Sequence, residues 1–273
     1  MSQRIVFPTG GNPGTAVITG ASSGLGASFA RQLAERGFGL VLTARREDRL
    51  RVLAEKLSSE FRVRCEVLAA DLSEDAGILR VCERIGAIGD LDILVNNAGF
   101  GTAGNYADVP IGQSMRMVNV HVAASMRLAH AALGAMRARK RGAIINVASM
   151  AAFAITPGDV VYDATKAFLV AFSEALALET GGEGIRIQAL CPGFTHTEFH
   201  DAGKMAGLDA ASIPRTLWME ADRVVSLSLQ ALGRKGRTVF IPGWKNRAST
   251  WLVRHSGAVR RMLQRAKRKR DAQ

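Results

Sequence analysis

Short apolar runs alternate with longer amphipathic ones from residue 15 to residue 241, and that alternation leaves few folds open. Thr15–Thr19, Gly39–Thr43, Arg62–Ala69, Leu91–Val95, Ala143–Ala148, Ile185–Leu190 and Thr238–Ile241 read as strands. Between them lie helical stretches: Ala27–Arg36, Glu47–Leu57, a helix capped by Ser73 and running to Ile85, Val161–Leu178 and Ala221–Leu232. Pro110–Arg139 gives one or two long helices more. Apolar strands each followed by a helix form a parallel sheet covered on both faces. Seven strands in one unbroken alternation make a single α/β domain over residues 1–243, with no room for a second. One irregular stretch, Phe194 to Trp218, interrupts the pattern after the sixth strand. Parallel sheets bind ligands at the carboxyl ends of their strands, so this insertion falls beside the expected site.

Charge separates a tail from this body. The 273 residues carry a net charge of +12, of which residues 244–273 hold +9 from ten Lys and Arg and one Asp. That tail interleaves Trp244, Trp251, Leu252, Val253, Val259, Met262 and Leu263 with its arginines, as a basic amphipathic helix does. Three readings stand: a solvated or body-docked extension, a peripheral contact with an anionic membrane surface, and a nucleic-acid contact, the last the least favoured. The three cysteines, Cys65, Cys82 and Cys191, are scattered and form no CxxC pair, which fits reduced thiols in the cytoplasm. His196 and His200 are four apart, yet HTEFH lacks the His-Glu pattern of a zinc hydrolase, so no metal is expected. The first residues, MSQRIVFPTGGNPG, lack the long apolar core of a secretory signal, and Gly142–Gly158 is too interrupted by polar residues for a membrane span.

The chemistry-bearing residues sit at strand ends. Thr19-Gly20-Ala21-Ser22-Ser23-Gly24-Leu25-Gly26 closes the first strand and opens a helix. Glycines there allow a tight turn and bring backbone N–H groups to a pyrophosphate at a helix N-terminus. The spacing is GxxxGxG, not GxGxxG. The second strand ends in Thr43-Ala44-Arg45-Arg46, where an NAD-selective site places an acidic residue for the ribose 2′-hydroxyl. A guanidinium at Arg45 suits a 2′-phosphate, which favours NADP(H) over NAD. Tyr162 and Lys166 lie four apart on one helical face. A phenol titrating near 10 needs help to exchange protons at neutrality, and a fixed ammonium one turn away would lower its pKa.

Taken together, TGASSGLG, Asn96-Asn97-Ala98-Gly99, Asn119, Ser149, Tyr162-x-x-x-Lys166 and Pro192-Gly193 resemble the short-chain dehydrogenases/reductases in order and spacing. The resemblance covers roughly residues 14–241 and implies a doubly wound, Rossmann-type domain with a seven-stranded sheet, a nicotinamide cofactor and an Asn–Ser–Tyr–Lys tetrad. On that resemblance Tyr162 protonates a carbonyl oxygen as hydride arrives, Lys166 lowers its pKa and holds the nicotinamide ribose, and Ser149 hydrogen-bonds the same carbonyl. Asn119 steadies a water that relays protons to Lys166. Gly20, Ser22, Ser23, Gly24, Leu25 and Gly26 cradle the cofactor phosphates, and Asp71-Leu72 contacts adenine. Asn96 and Gly99 line the ribose, while Thr195, following Pro192-Gly193, bonds the carboxamide or a phosphate. Phe194, Phe199, Met205, Leu208, Ile213 and Trp218 would belong to a substrate lid, or simply pack on the sheet.

The expectation is an NADP(H)-dependent oxidoreductase interconverting an apolar ketone or aldehyde and its alcohol, assembled as a homodimer or homotetramer. The competing class is a non-catalytic, nucleotide-sensing protein of the same fold that uses its basic tail to bind a polyanion or a membrane surface.

Overall fold

A computed structural model describes residues 12–102, 104–155, 158–198, 214–233 and 237–255. The strands are β1 (Thr15–Thr19), β2 (Gly39–Ala44), β3 (Cys65–Ala69), β4 (Leu91–Asn96), β5 (Gly142–Val147), β6 (Ile185–Leu190), β7 (Thr195–His196), β8 (Met219–Glu220) and β9 (Val239–Phe240). The helices are α1 (Gly24–Ala34), α2 (Glu47–Phe61), α3 (Asp75–Gly86), α4 (Ile111–Val118), α5 (Ala124–Arg139), α6 (Val160–Glu179), α7 (Ala221–Leu232) and α8 (Trp244–His255). Seven strands form one parallel sheet in the order β3-β2-β1-β4-β5-β6-β9, the doubly wound arrangement with its switch point between β1 and β4.

Alternation along each strand divides the core between the two faces. Ile18, Leu42, Val95 and Ile145 pack with Phe29 and Leu33 of α1, Leu50 of α2 and Val224 of α7. Val17, Val41, Leu94 and Ile144 pack with Ile78 and Val81 of α3 and Leu128 of α5. Helix α6 lies on the second face, and its buried positions Tyr162, Thr165, Lys166, Leu169, Ser173 and Leu176 recur at three- and four-residue intervals. The amino-terminal edge of the sheet is tied by Asp92, fully buried, which accepts from Arg139, from Arg141 at 2.6 Å and 2.9 Å, and from the Gly14 N–H.

Local chemistry explains where the elements depart from the sequence pattern. β3 begins at Cys65, not Arg62, because Arg62 takes the left-handed conformation that closes α2, with φ of 56°. Ser73 does not cap α3. Its N–H and hydroxyl both donate to Asp71 Oδ1, forming a side-chain turn one residue earlier. Residues 110–139 hold two helices joined by a π-helical turn, Asn119–Ala123, in which the Ala124 N–H donates to the Asn119 carbonyl. The irregular stretch after β6 contains a short parallel pair, β7 with β8, and Trp218 before it stacks on His196 at 4.8 Å between centroids. Phe199, Met205, Leu208 and Ile213 lie outside the described residues, as does the tail beyond residue 255.

Candidate active site

The carboxyl ends of β1, β2, β4, β5 and β6 converge because the parallel register aligns Thr19 with Thr43, Asn96 with Asn146 and Val147 with Leu190. At the end of β1, Gly20 turns at a φ of +64°, a conformation open to glycine, and a Cβ there would lie 2.9 Å from the Ala98 backbone. Asn97, which the sequence reading passed over, locks this turn: its side chain donates to the Thr19 and Gly20 carbonyls at 2.9 Å and 3.3 Å. Thr19 Oγ1 in turn accepts the N–H groups of Asn97 and Ala98.

Ser23 stands at the N-cap of α1, yet its side chain makes no capping hydrogen bond. The first-turn N–H groups of the helix are thus left to another acceptor, and a helix N-terminus favours an anion. Arg46 spans the same mouth, donating to Ser22 Oγ and Ser23 Oγ at 3.1 Å each and to Glu198 at 3.1 Å. The cradle fits the phosphates of a dinucleotide. Of the two arginines, Arg46 is the one drawn across the glycine turn, whereas Arg45, singled out in the sequence, is an exposed neighbour at the end of β2. Arg49 also pairs with Glu198, at 2.6 Å, and the two guanidinium groups hold that carboxyl below the usual carboxylate range.

On the substrate side, Ser149 follows β5, accepts the Ala151 N–H at 3.1 Å and hydrogen-bonds the Tyr162 phenol. Lys166 is buried one helical turn along, its Nζ donating to the Val147 carbonyl at 2.8 Å and lying 5.6 Å from the Tyr162 ring centre. Burial governs both groups. It pushes the phenol up to about 12, the bond from Ser149 opposing it and the Asp159 and Asp163 charges adding to it. It pulls the Lys166 ammonium down to about 8. The lowering of the phenol pKa by Lys166, expected from their spacing, is therefore reversed in the ligand-free chain, because desolvation of the phenolate dominates.

Several sequence-assigned residues stand elsewhere than expected. Asn96 is turned into the sheet, where its amide donates to Asn146 and to the Ser125 carbonyl, so its side chain does not line a ribose. Leu72 is buried in the core, leaving only its backbone for a ligand, and Asp71 Oδ1 is occupied by Ser73. The Asn119 amide donates to the Ser73 carbonyl at 2.9 Å and ties the π-helical turn to that loop. Thr195 is buried with its hydroxyl on the Gly193 carbonyl. Thr197 instead lies against the glycine turn, 3.2 Å from where a Gly24 Cβ would sit. The Pro192 carbonyl accepts the Met150 N–H, joining the loop after β6 to the loop after Ser149.

His121 was not visible as a site residue. It is buried between Phe100 and Tyr162, in edge contact with both rings. Thr165 Oγ1 donates to the Tyr162 carbonyl, so His121 Nδ1, 2.8 Å away, donates to Thr165. Nε2 then accepts the Phe100 N–H at 3.1 Å. This fixes a neutral imidazole, consistent with burial, reinforced by Lys166, holding its pKa well below the ordinary value. A Cβ on Gly99 would sit 2.8 Å from His121 Nε2, so the loop must carry glycine at that point. His121 thereby clasps the β4 loop to helix α6. The signal for it was only its place two residues after Asn119, which spacing alone does not distinguish from a core histidine.

A doubly wound sheet with an uncapped glycine turn, together with a half-buried Ser149 and buried Tyr162 and Lys166, fits the class of nicotinamide-binding oxidoreductases. The profile of that family described as short chain dehydrogenase matches residues 14–205. A relative, sulfoacetaldehyde reductase 2 of Chromohalobacter salexigens, is 36% identical over 71% of this chain and 79% of its own length. The human inactive hydroxysteroid dehydrogenase-like protein 1 is 32% identical over 67% of this chain and 56% of its own length. A short-chain dehydrogenase from Sphingobium yanoikuyae, solved in complex with NADPH, superposes with a TM-score of 0.79 at 34% identity, covering 95% of each chain. The chain belongs to the short-chain dehydrogenase family. No cluster suited to a metal ion occurs among the described residues.

The lowered Lys166 pKa has a consequence for stability. Between pH about 8 and its unfolded value of about 10.4, the unfolded chain binds a proton that the folded chain does not, so this group makes stability rise with pH in that window. The melting temperature of wild type relative to Lys166→Gln is expected to gain roughly 5 °C from pH 7 to pH 10. Parallel pH profiles would show that Lys166 titrates normally.

Proposed function

We propose that this chain is an NADP(H)-dependent reductase that interconverts an apolar ketone or aldehyde and its alcohol. The observation that carries the reading is the buried Tyr162 phenol, on the helix beside the loop of Ser149 and one turn from a buried Lys166 whose Nζ is held by the Val147 carbonyl. A phenol near 12 is protonated at neutral pH and is still a stronger acid than the alcohol formed when the developing alkoxide takes its proton. Proton transfer from Tyr162 to that oxygen is then downhill. Ser149 supplies a second hydrogen bond to the same oxygen, as preorganised donors should where charge develops. Lys166, mostly protonated at pH 7, stabilises the phenolate left behind. A reduced nicotinamide cofactor, its phosphates held by the glycine turn, would supply the hydride, and Tyr162 the proton, so that the carbonyl gains both and leaves as the alcohol.

The glycine turn from Gly20 to Gly26 holds the phosphates, and Arg46 with Arg45 offers the charge for a 2′-phosphate. The NADPH complex of the Sphingobium relative supports this cofactor choice. Phe194 and Trp218, 5.5 Å apart between centroids in the stretch after β6, and the exposed Ile155 six residues after Ser149 support a hydrocarbon-rich substrate such as an acyl chain or a fused-ring ketone. The human relative described as inactive favours a second reading, a cofactor-binding protein without turnover. The intact Ser149–Tyr162 contact and buried Lys166 favour catalysis over it.

Tyr162→Phe is expected to lower NADPH-dependent reduction of a ketone panel by about 10²–10⁴-fold, with NADPH affinity by fluorescence titration nearly unchanged. Full activity in the variant would remove Tyr162 from the chemistry, and a wild type inert toward every ketone and aldehyde would support the non-catalytic reading. Replacing both Arg45 and Arg46 with Ala should reduce kcat/KM with NADPH by about 10–100-fold while sparing NADH. A wild type that already prefers NADH would refute the arginine assignment.

A further inference from the structure

Helix α8 has two unlike faces. Asn246 and Thr250 are buried, the Asn246 amide donating to the Pro242 carbonyl at 3.1 Å and reaching Met219 Sδ at 3.5 Å, with Thr250 donating to the Asn246 carbonyl. That face packs beside Gly193, where a Cβ would meet the Asn246 amide at 2.9 Å, and against the turn that follows Ser149. The opposite face points outward with Trp244 68%, Trp251 63% and Leu252 46% exposed. These three lie seven and eight residues apart, on one side of the helix, with Ala248 between them. Lys245 and Arg247 flank the stripe, and Lys245 Nζ sits 5.8 Å from the Trp244 ring centre. In the sequence the same three- and four-residue spacing continues through Val259, Met262 and Leu263, and no acidic residue occurs from Trp244 to Arg270.

We propose that the outward face of α8 is a docking surface for an anionic lipid bilayer, lying flat at the headgroup level. Two indoles and a leucine side by side suit the boundary between headgroups and acyl chains, and flanking cations suit anionic headgroups. The charge argues against the other occupants. A second copy brought face to face across a two-fold axis would set Lys245 and Arg247 of one helix against those of the other. A nucleic-acid backbone would use the cations but leave the exposed Leu252 without a partner. No helix among the described residues is long and apolar enough to cross a membrane, so the contact is peripheral. Because α8 packs on the loops after β5 and β6, the bilayer would meet the domain beside its substrate side. The surface stands or falls independently of turnover at Tyr162.

The test is co-sedimentation of the full chain with phosphatidylcholine vesicles with and without phosphatidylglycerol. Wild type is expected to pellet with the anionic vesicles, less so as salt rises, and its indole emission to shift to the blue on binding. The double variant Trp244→Ala/Trp251→Ala is expected to bind at least about tenfold more weakly, with unchanged melting temperature and NADPH affinity in free solution. Wild type that stays in the supernatant without a spectral shift would overturn the proposal, as would a folded variant that pellets equally. Two further outcomes would also overturn it: a dimer by light scattering that the variant loses, and retention on single-stranded DNA without vesicle binding.

Discussion

The site depends on one buried contact, the Lys166 ammonium held by the Val147 carbonyl at the end of β5. A lysine is seldom taken fully out of water, because desolvating an ammonium is costly unless its donors are used. Here the donor is spent on the strand that also leads into Ser149, so the position of Lys166 and the position of Ser149 are set by the same backbone. Helix α6 is thereby fixed along its length, and Tyr162, one turn earlier, inherits its place from the helix.

A second set of polar contacts carries that placement across the sheet. Asn96 donates to Asn146, and Asn146 donates to Ser173 on α6, so β4, β5 and the catalytic helix share one buried chain of hydrogen bonds. His121 and Thr165 add a link from α6 to the loop after β4, and Asn97 links that loop to the glycine turn. Tyr162 and the glycine turn are therefore joined through the side chains of Thr165, His121 and Asn97. The network is satisfied except at Asn96 Oδ1, which is buried without a partner, so its hold on one arrangement rests on the donors that are paired.

Much of the fold was legible because its signals are periodic. Apolar strands and amphipathic helices announce a covered parallel sheet, the glycine turn and Ser149 follow strand ends, and Tyr162 and Lys166 fall one turn apart on helix α6. What was not legible depended on side-chain direction. Asn96 and Asn97 are adjacent and identical in type, yet one is turned into the sheet and the other holds the turn, a distinction made by strand pleat and not by composition. Arg45 and Arg46 differ in the same way: the chain leaves β2 so that Arg46 reaches Ser22 and Ser23. Ser73 looked like a helix cap, but the neighbouring Asp71 offered a closer acceptor. Asn146 registered only as a polar break in an apolar strand, although it ties β4 to α6.

Spacing placed an ammonium near a phenol, but it carries no information on burial, which pushes the phenol up to about 12 with the Asp159 and Asp163 charges adding to it. In the proposed reaction desolvation sets the Tyr162 phenol, and Lys166 would act on the phenolate left after transfer. With only two tyrosines in the chain, Tyr106→Phe leaves Tyr162 alone for carbon-13 NMR of its ring carbon bearing oxygen. In the ligand-free protein Tyr162 is expected to remain protonated through pH 10 and to titrate near 12. A titration at or below pH about 10, the ordinary value for a phenol, would contradict the burial-dominated site.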